Sequence, residues 1–285
     1  MADVMEERVR SIQLCAGVTF ALSALILSIC LALYPTLAPA HQTNLILDAI
    51  SKQDVGGWMW LHAWMVTGFL LATVGFTALA FLLHLRGSSG AASITSVSAL
   101  VGGGIWATFL SMELFVAPFL KLYYPIDPGL ATMLFATVWF WKMGALAVGA
   151  VLLFTAVIAA GTAGVTRDVM PVWMGWGGAL FGGVGILVYL FEFWTTTATG
   201  LAINPMRNAG MRYGVGLPIQ LWMIGVGATL LREWRMKSAA LPPQMRTHVP
   251  PKREVRHETK VDPKKKPVGS LADFPPAPPL PPPIP

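Results

Sequence analysis

The stretch GWMWLHAWMVTGFLLATVGFTALAFLLH, residues 57–84, decides the fold class, since it contains no Asp, Glu, Lys or Arg. A helix needs about 20 consecutive apolar residues to cross a bilayer. In lipid every backbone N–H and C=O group must be bonded within the protein, and a helix does this within a single segment. The stretch therefore predicts a membrane-spanning α-helix.

Five further apolar segments are long enough to span a membrane, at residues 11–34, 93–118, 130–160, 170–194 and 214–231. Together they predict an all-α membrane protein, a bundle of six transmembrane helices. The composition agrees, because 55% of the residues are hydrophobic and only 12% are charged, against about 25% in soluble domains. An ordinary soluble enzyme is therefore excluded.

The net charge of +6 is confined to the C-terminal part of the chain. Residues 1–231 carry equal numbers of basic and acidic side chains, whereas residues 232–285 hold the whole excess and most of the prolines. We therefore divide the chain into a cytoplasmic N-terminus (1–10), a six-span domain (11–231) and a disordered, basic, proline-rich cytoplasmic tail (232–285). The predicted partners are the lipid bilayer, anionic headgroups and a cytoplasmic protein bound by the tail, but not nucleic acid.

The distribution of Lys and Arg predicts the orientation. One side of the predicted membrane domain has Arg8, Arg10, Arg86, Arg167 and the tail, and the other has Lys52, Lys121, Arg207 and Arg212. Both termini are therefore predicted to lie in the cytoplasm, with the spans in a bacterial inner membrane. In an alternative interpretation, Ala38-Pro39-Ala40 is a signal-peptidase site, and its cleavage would leave five spans.

Ionisable side chains inside predicted spans are the candidate functional residues, because burying them in a bilayer is expensive. At a rise of about 1.5 Å per residue, all of them fall in the outer half of their helices. Gln220 lies at a similar level. The predicted ligand or proton site consists of His62, Glu113, Lys142, Glu192 and Gln220.

Lys142 is too deep to reach water easily, so we expect an ion pair with Glu113 or with Glu192. The loop at residues 195–213, which carries Arg207 and Arg212, is predicted to cover the pocket. The alternative is a structural ion pair that holds helices together without any ligand.

Other chemistries have little support in the sequence. No protease, hydrolase, P-loop or dinucleotide-binding signature is present, so no catalytic residue is assigned. No metal site is predicted, since Cys15 and Cys30 are the only cysteines and are too far apart on one helix to act together. Haem binding is a third alternative, in which His62 and either His41 or Met112 would be the two axial ligands of the iron.

Glycines in the fifth predicted span indicate close helix packing, with Gly178 and Gly182 forming a small-xxx-small pair. The alternatives are an ordinary packing face within one bundle and a homodimer interface. The tryptophans, including Trp58, lie near segment ends, as is typical of an interfacial aromatic belt.

Two segments carry a resemblance to a known group of proteins. They are MPVWMGWGG at residues 170–178, and LPIQLWMIGVG at residues 217–227. Both are similar to the last two spans of small bacterial six-helix membrane proteins grouped as a domain of unknown function. The resemblance implies the six-span topology and no catalytic residue, and the long tail departs from that group.

The sequence therefore leaves three functional hypotheses. The first is a membrane protein whose polar outer-half pocket binds or moves a small ligand, ion or proton. The second is a non-catalytic subunit or assembly factor that recruits a cytoplasmic partner through its tail. The third is a haem-binding or other membrane redox protein.

Overall fold

The computed structural model describes residues 2–34, 47–48, 50–199 and 215–239 of the chain. These residues are almost entirely helical and include no β-strand. The helices are α1 (Ala2–Leu33), α2 (Val55–Leu85), α3 (Ser89–Glu113), α4 (Val116–Tyr123), α5 (Pro128–Thr166), α6 (Val172–Thr199) and α7 (Leu217–Ala239). The compact unit of residues 1–240 contains all of them. The prediction of a disordered tail from residue 232 is wrong for residues 232–239, which continue α7, and the rest of the predicted tail lies outside the described residues.

Five helical segments are long and apolar enough to cross a membrane. Four of them are the single helices α1, α2, α5 and α6, and the fifth is formed by α3 and α4 together. This supports the prediction of a multi-pass membrane protein. The last helix is not among them; its C-terminal part carries Arg232, Glu233 and Arg235.

Polar caps explain why several helices extend beyond the apolar segments. The Asp54 carboxylate accepts a hydrogen bond from Gly57 N at 2.6 Å and begins α2. Asp127 accepts from Leu130 N at 2.9 Å, and the next residue is Pro128, whose fixed φ suits the first helical position.

The predicted third span does not continue as one helix to residue 118, since α3 ends at Glu113 and α4 begins at Val116.

The six long helices form a closed ring in chain order. Each packs against its neighbours in the sequence, α3 packs against α5, and α7 closes the ring against α1. The turn between α2 and α3 is short because Gly87 adopts a φ of 81°, a left-handed conformation that glycine adopts readily. At one end of the ring α3 ends and α2 and α5 begin, and we call it the Glu113 end. The opposite end is called the Arg10 end.

Glycines allow the backbones of neighbouring helices to approach closely. A methyl group added at Gly102 of α3 would lie 2.7 Å from Gly149 O of α5, and one added at Gly227 of α7 would lie 2.8 Å from Gly17 O of α1. Such contacts are typical of helix packing in lipid, where small residues permit extensive van der Waals contact.

The two glycines singled out in the sequence face different neighbours in the same chain. Gly178 packs against the indole of Trp222 in α7, whose Nε1 donates a hydrogen bond to Met174 O at 2.8 Å. Gly182 packs against Ile158 in α5. The pair therefore joins α6 to both of its neighbours in the ring.

Candidate functional site: a buried His–Glu–Lys triad

Three of the predicted site residues meet at the Glu113 end of the ring. His62 of α2, Glu113 of α3 and Lys142 of α5 form a chain of contacts, and their side chains are only 0%, 5% and 8% exposed. The Lys142 ammonium pairs with Glu113 Oε1, while His62 Nε2 lies 2.9 Å from Glu113 Oε2. The carboxylate is therefore held between an ammonium and an imidazole.

Glu113 is placed by the end of its helix. It is the last residue of α3, and its own main-chain carbonyl accepts a hydrogen bond from Trp58 Nε1 at 2.7 Å. This bond ties the end of α3 to the first turn of α2. It also satisfies one of the carbonyl groups that a helix C-terminus leaves without an intrahelical partner.

His62 is fixed by contacts within its own helix. Its Nδ1 lies 2.9 Å from Trp58 O, one turn earlier, and its ring packs against the Trp58 ring with centroids 4.3 Å apart. The ring of Tyr34, the residue that follows α1, has its centroid 5.7 Å from that of the imidazole. These aromatic rings limit the access of water to the imidazole.

The two ring nitrogens of His62 face acceptors on both sides. A carbonyl oxygen such as Trp58 O only accepts, and an ionised carboxylate also only accepts. The Nε2–Oε2 contact is at ion-pair distance but not aligned as a hydrogen bond. A neutral imidazole that donates from Nδ1 thus places the Nε2 lone pair beside a carboxylate oxygen. One added proton, on either atom, would convert this repulsive contact into an attractive one.

Burial makes the charges of the triad costly. Removing an ion from water costs several kcal/mol even in a real protein, and only a close and complete set of partners offsets it. Lys142 and Glu113 offset each other, so the triad with one added proton carries a single net positive charge. The triad without that proton is neutral.

Gln220 lies apart from the triad. Its Oε1 accepts a hydrogen bond from Ser28 Oγ at 2.7 Å, which joins α7 to α1. Its predicted level along the helix axis does not make it part of the triad, whose contacts are those of Glu113 with His62 and with Lys142. The Glu192 side chain, Arg207 and Arg212 lie outside the described part of the structure, as does His41.

Two aromatic residues belong to the site although the sequence did not assign them to it. Trp58 is only 3% exposed, so it is a buried partner of His62 and Glu113 rather than a member of an interfacial belt. Its four-residue spacing from His62, which puts both on one face of a helix, was the available signal. Tyr34 directly follows α1, and the sequence offered no comparable signal for it.

The described residues contain no group of three or more His, Cys, Asp or Glu side chains that could hold a metal ion. Within them the triad supplies one imidazole, one carboxylate and one ammonium. An ammonium is not a metal ligand, since it has no lone pair.

No protein-family model matches the chain, and neither a curated protein nor a solved structure matches it. What the site does is therefore inferred from its own geometry.

Proposed function

We propose that the protein is a six-span inner-membrane protein that moves a proton, alone or together with a small ligand or ion, through its buried triad. The sixth span is α7, both termini lie in the cytoplasm, and the Glu113 end faces the outer side. The distribution of basic residues along the sequence supports this orientation.

The observation that carries the proposal is the position of His62 between Trp58 O and Glu113 Oε2. This arrangement has room for one exchangeable proton, and Lys142 pairs with the same carboxylate. Ionisable groups within membrane helices are functional candidates by default, and proton relays built from Asp, Glu and His are a common use of them.

Proton flux into liposomes that contain the purified full chain tests the proposal. A potential is imposed across the membrane, and the internal pH is followed with a trapped dye. Proton entry is expected to be faster than in protein-free liposomes and to fall to that background in Glu113→Gln.

The control variant is Glu233→Gln. Glu233 lies near the Arg10 end, where its Oε2 accepts a hydrogen bond from Gln13 Nε2 at 3.0 Å. Its substitution is expected to leave the flux unchanged. Wild-type liposomes as tight as empty ones, or equal flux in wild type and Glu113→Gln, would refute the proposal and leave the triad a structural ion pair.

A further inference from the structure

A cavity of about 130 Å³ lies inside the ring of helices, separate from the triad. Each of the six long helices contributes to its wall, through residues that include Leu27, Phe69, Trp106, Phe154, Tyr189 and Gln220. Phe69 follows His62 by seven residues and Trp106 precedes Glu113 by seven. At a rise of about 1.5 Å per residue, the cavity is roughly 10 Å along the helices from the triad.

The walls suit a flat, neutral molecule. The described residues that line the cavity are mostly aliphatic and aromatic, and none of them is charged. A charged guest would lose its hydration without gaining an ionic partner. Aromatic rings such as that of Phe154 offer faces and edges against which another ring packs favourably.

The volume suits a single small ring. An apolar protein cavity of about 150 Å³ is known to take up benzene, and the cavity in this ring is slightly smaller than that.

One donor in the wall sets the polarity of the guest. Ser28 Oγ donates to Gln220 Oε1, so the N–H groups of the Gln220 amide remain as donors. A guest that carries a hydrogen-bond acceptor would accept a hydrogen bond from this amide.

We propose that this cavity is a binding site for a small neutral ring compound that carries one hydrogen-bond acceptor. The site is independent of proton exchange at the triad.

Two probes of matched size test the proposal. Fluorobenzene and 2-fluoropyridine have nearly the same shape, and 2-fluoropyridine adds a ring nitrogen that accepts a hydrogen bond and is too weakly basic to be protonated at neutral pH. Fluorine NMR of the full chain in lipid nanodiscs is expected to show a saturable bound signal for both. The dissociation constant is expected to be roughly two- to tenfold lower for 2-fluoropyridine, the worth of one hydrogen bond.

Filling the cavity is expected to abolish the bound signal. Ala150 is buried in its wall, and Ala150→Leu adds side-chain volume there. Val148→Phe enlarges a side chain on the exposed outer face of the same helix and is expected to leave binding unchanged. If Ala150→Leu does not fold, Gln220→Leu serves instead and is expected to remove the preference for 2-fluoropyridine while fluorobenzene still binds.

The absence of a saturable signal in the wild type would overturn the proposal, as would equal binding in Ala150→Leu and wild type. An unchanged preference in Gln220→Leu would overturn the assignment of the polar contact. None of these results depends on Glu113, so they are distinct from a failure of the proton-flux experiment.

Discussion

Helices α3 and α5 are held together in two different ways at two levels. In the middle, the backbones approach at Gly102 and Gly149, with no side chain between them. At the Glu113 end, the same two helices are joined by the Glu113–Lys142 ion pair. The glycine contact uses only van der Waals packing, which suffices in lipid, whereas the ion pair requires two charges to be desolvated.

The difference indicates that the ion pair is not needed merely to join the helices. A buried salt bridge adds little net stability compared with apolar residues of similar size, although breaking it from one side is costly. The glycine contact already brings α3 and α5 together, and under the proposed function the charged contact adds a site that exchanges a proton. Substitutions at the two levels are therefore expected to behave differently.

The largest effect is expected from removing one charge of the pair. Glu113→Leu leaves the Lys142 ammonium buried without its carboxylate and is expected to lower the free energy of unfolding by about 3–5 kcal/mol. The measurement is equilibrium unfolding of the purified protein in mild detergent as a denaturing detergent is added. Glu113→Leu combined with Lys142→Met removes both charges and is expected to recover most of the loss. A double variant as unstable as the single one would show that the pair is itself the main link between the helices.

A smaller loss is expected where the backbones touch. Gly102→Ala places a methyl group 2.7 Å from Gly149 O and is expected to cost about 1–3 kcal/mol, as overpacking does. Gly104, two residues further along α3, has open space around it. Gly104→Ala is therefore expected to be neutral or slightly stabilising, and the same unfolding experiment compares the two. Equal stabilities of the two variants would contradict the close approach at Gly102.

The smallest effect is expected at the link between α2 and the end of α3. Trp58→Phe removes the indole N–H that donates to Glu113 O and is expected to cost about 1 kcal/mol. Trp64→Phe is the control, because Trp64 is half exposed on the same helix. It is expected to change the unfolding free energy by less than about 0.5 kcal/mol. A loss in Trp64→Phe as large as that in Trp58→Phe would assign both effects to aromatic packing alone.

Five of the six spans predicted from the sequence correspond to helices that are long and apolar enough to cross a membrane, because lipid imposes a simple requirement on length and composition. The sequence did not predict where the helices end. Apolarity marks the part of a helix that suits lipid, whereas polar residues such as Asp54 and Asp127 decide where α2 and α5 begin. Charged turns such as those around Arg232 extend α7 past the last apolar residues.

The candidate site could be predicted only in part, because depth along a helix is easier to estimate than direction around it. A rise of about 1.5 Å per residue places Glu113, Lys142 and Gln220 near one level. A helix also turns by about 100° per residue, so a small error in register turns a side chain to another neighbour. The sequence therefore left the partner of Lys142 open and grouped Gln220 with the triad, whereas in the structure Gln220 contacts Ser28.

Proton exchange between His62 and Glu113 is the step on which the proposed function depends most. Infrared difference spectroscopy of the full chain in nanodiscs, recorded between neutral and acid pH, detects it directly. The other acidic and His side chains give protonated-carboxyl and imidazolium bands in every variant, so the wild-type difference spectrum is compared with those of Glu113→Gln and His62→Gln. The wild type is expected to show one further band of a protonated carboxyl or of an imidazolium that both variants have lost. Difference spectra that coincide in the wild type and the two variants would contradict proton exchange at the triad.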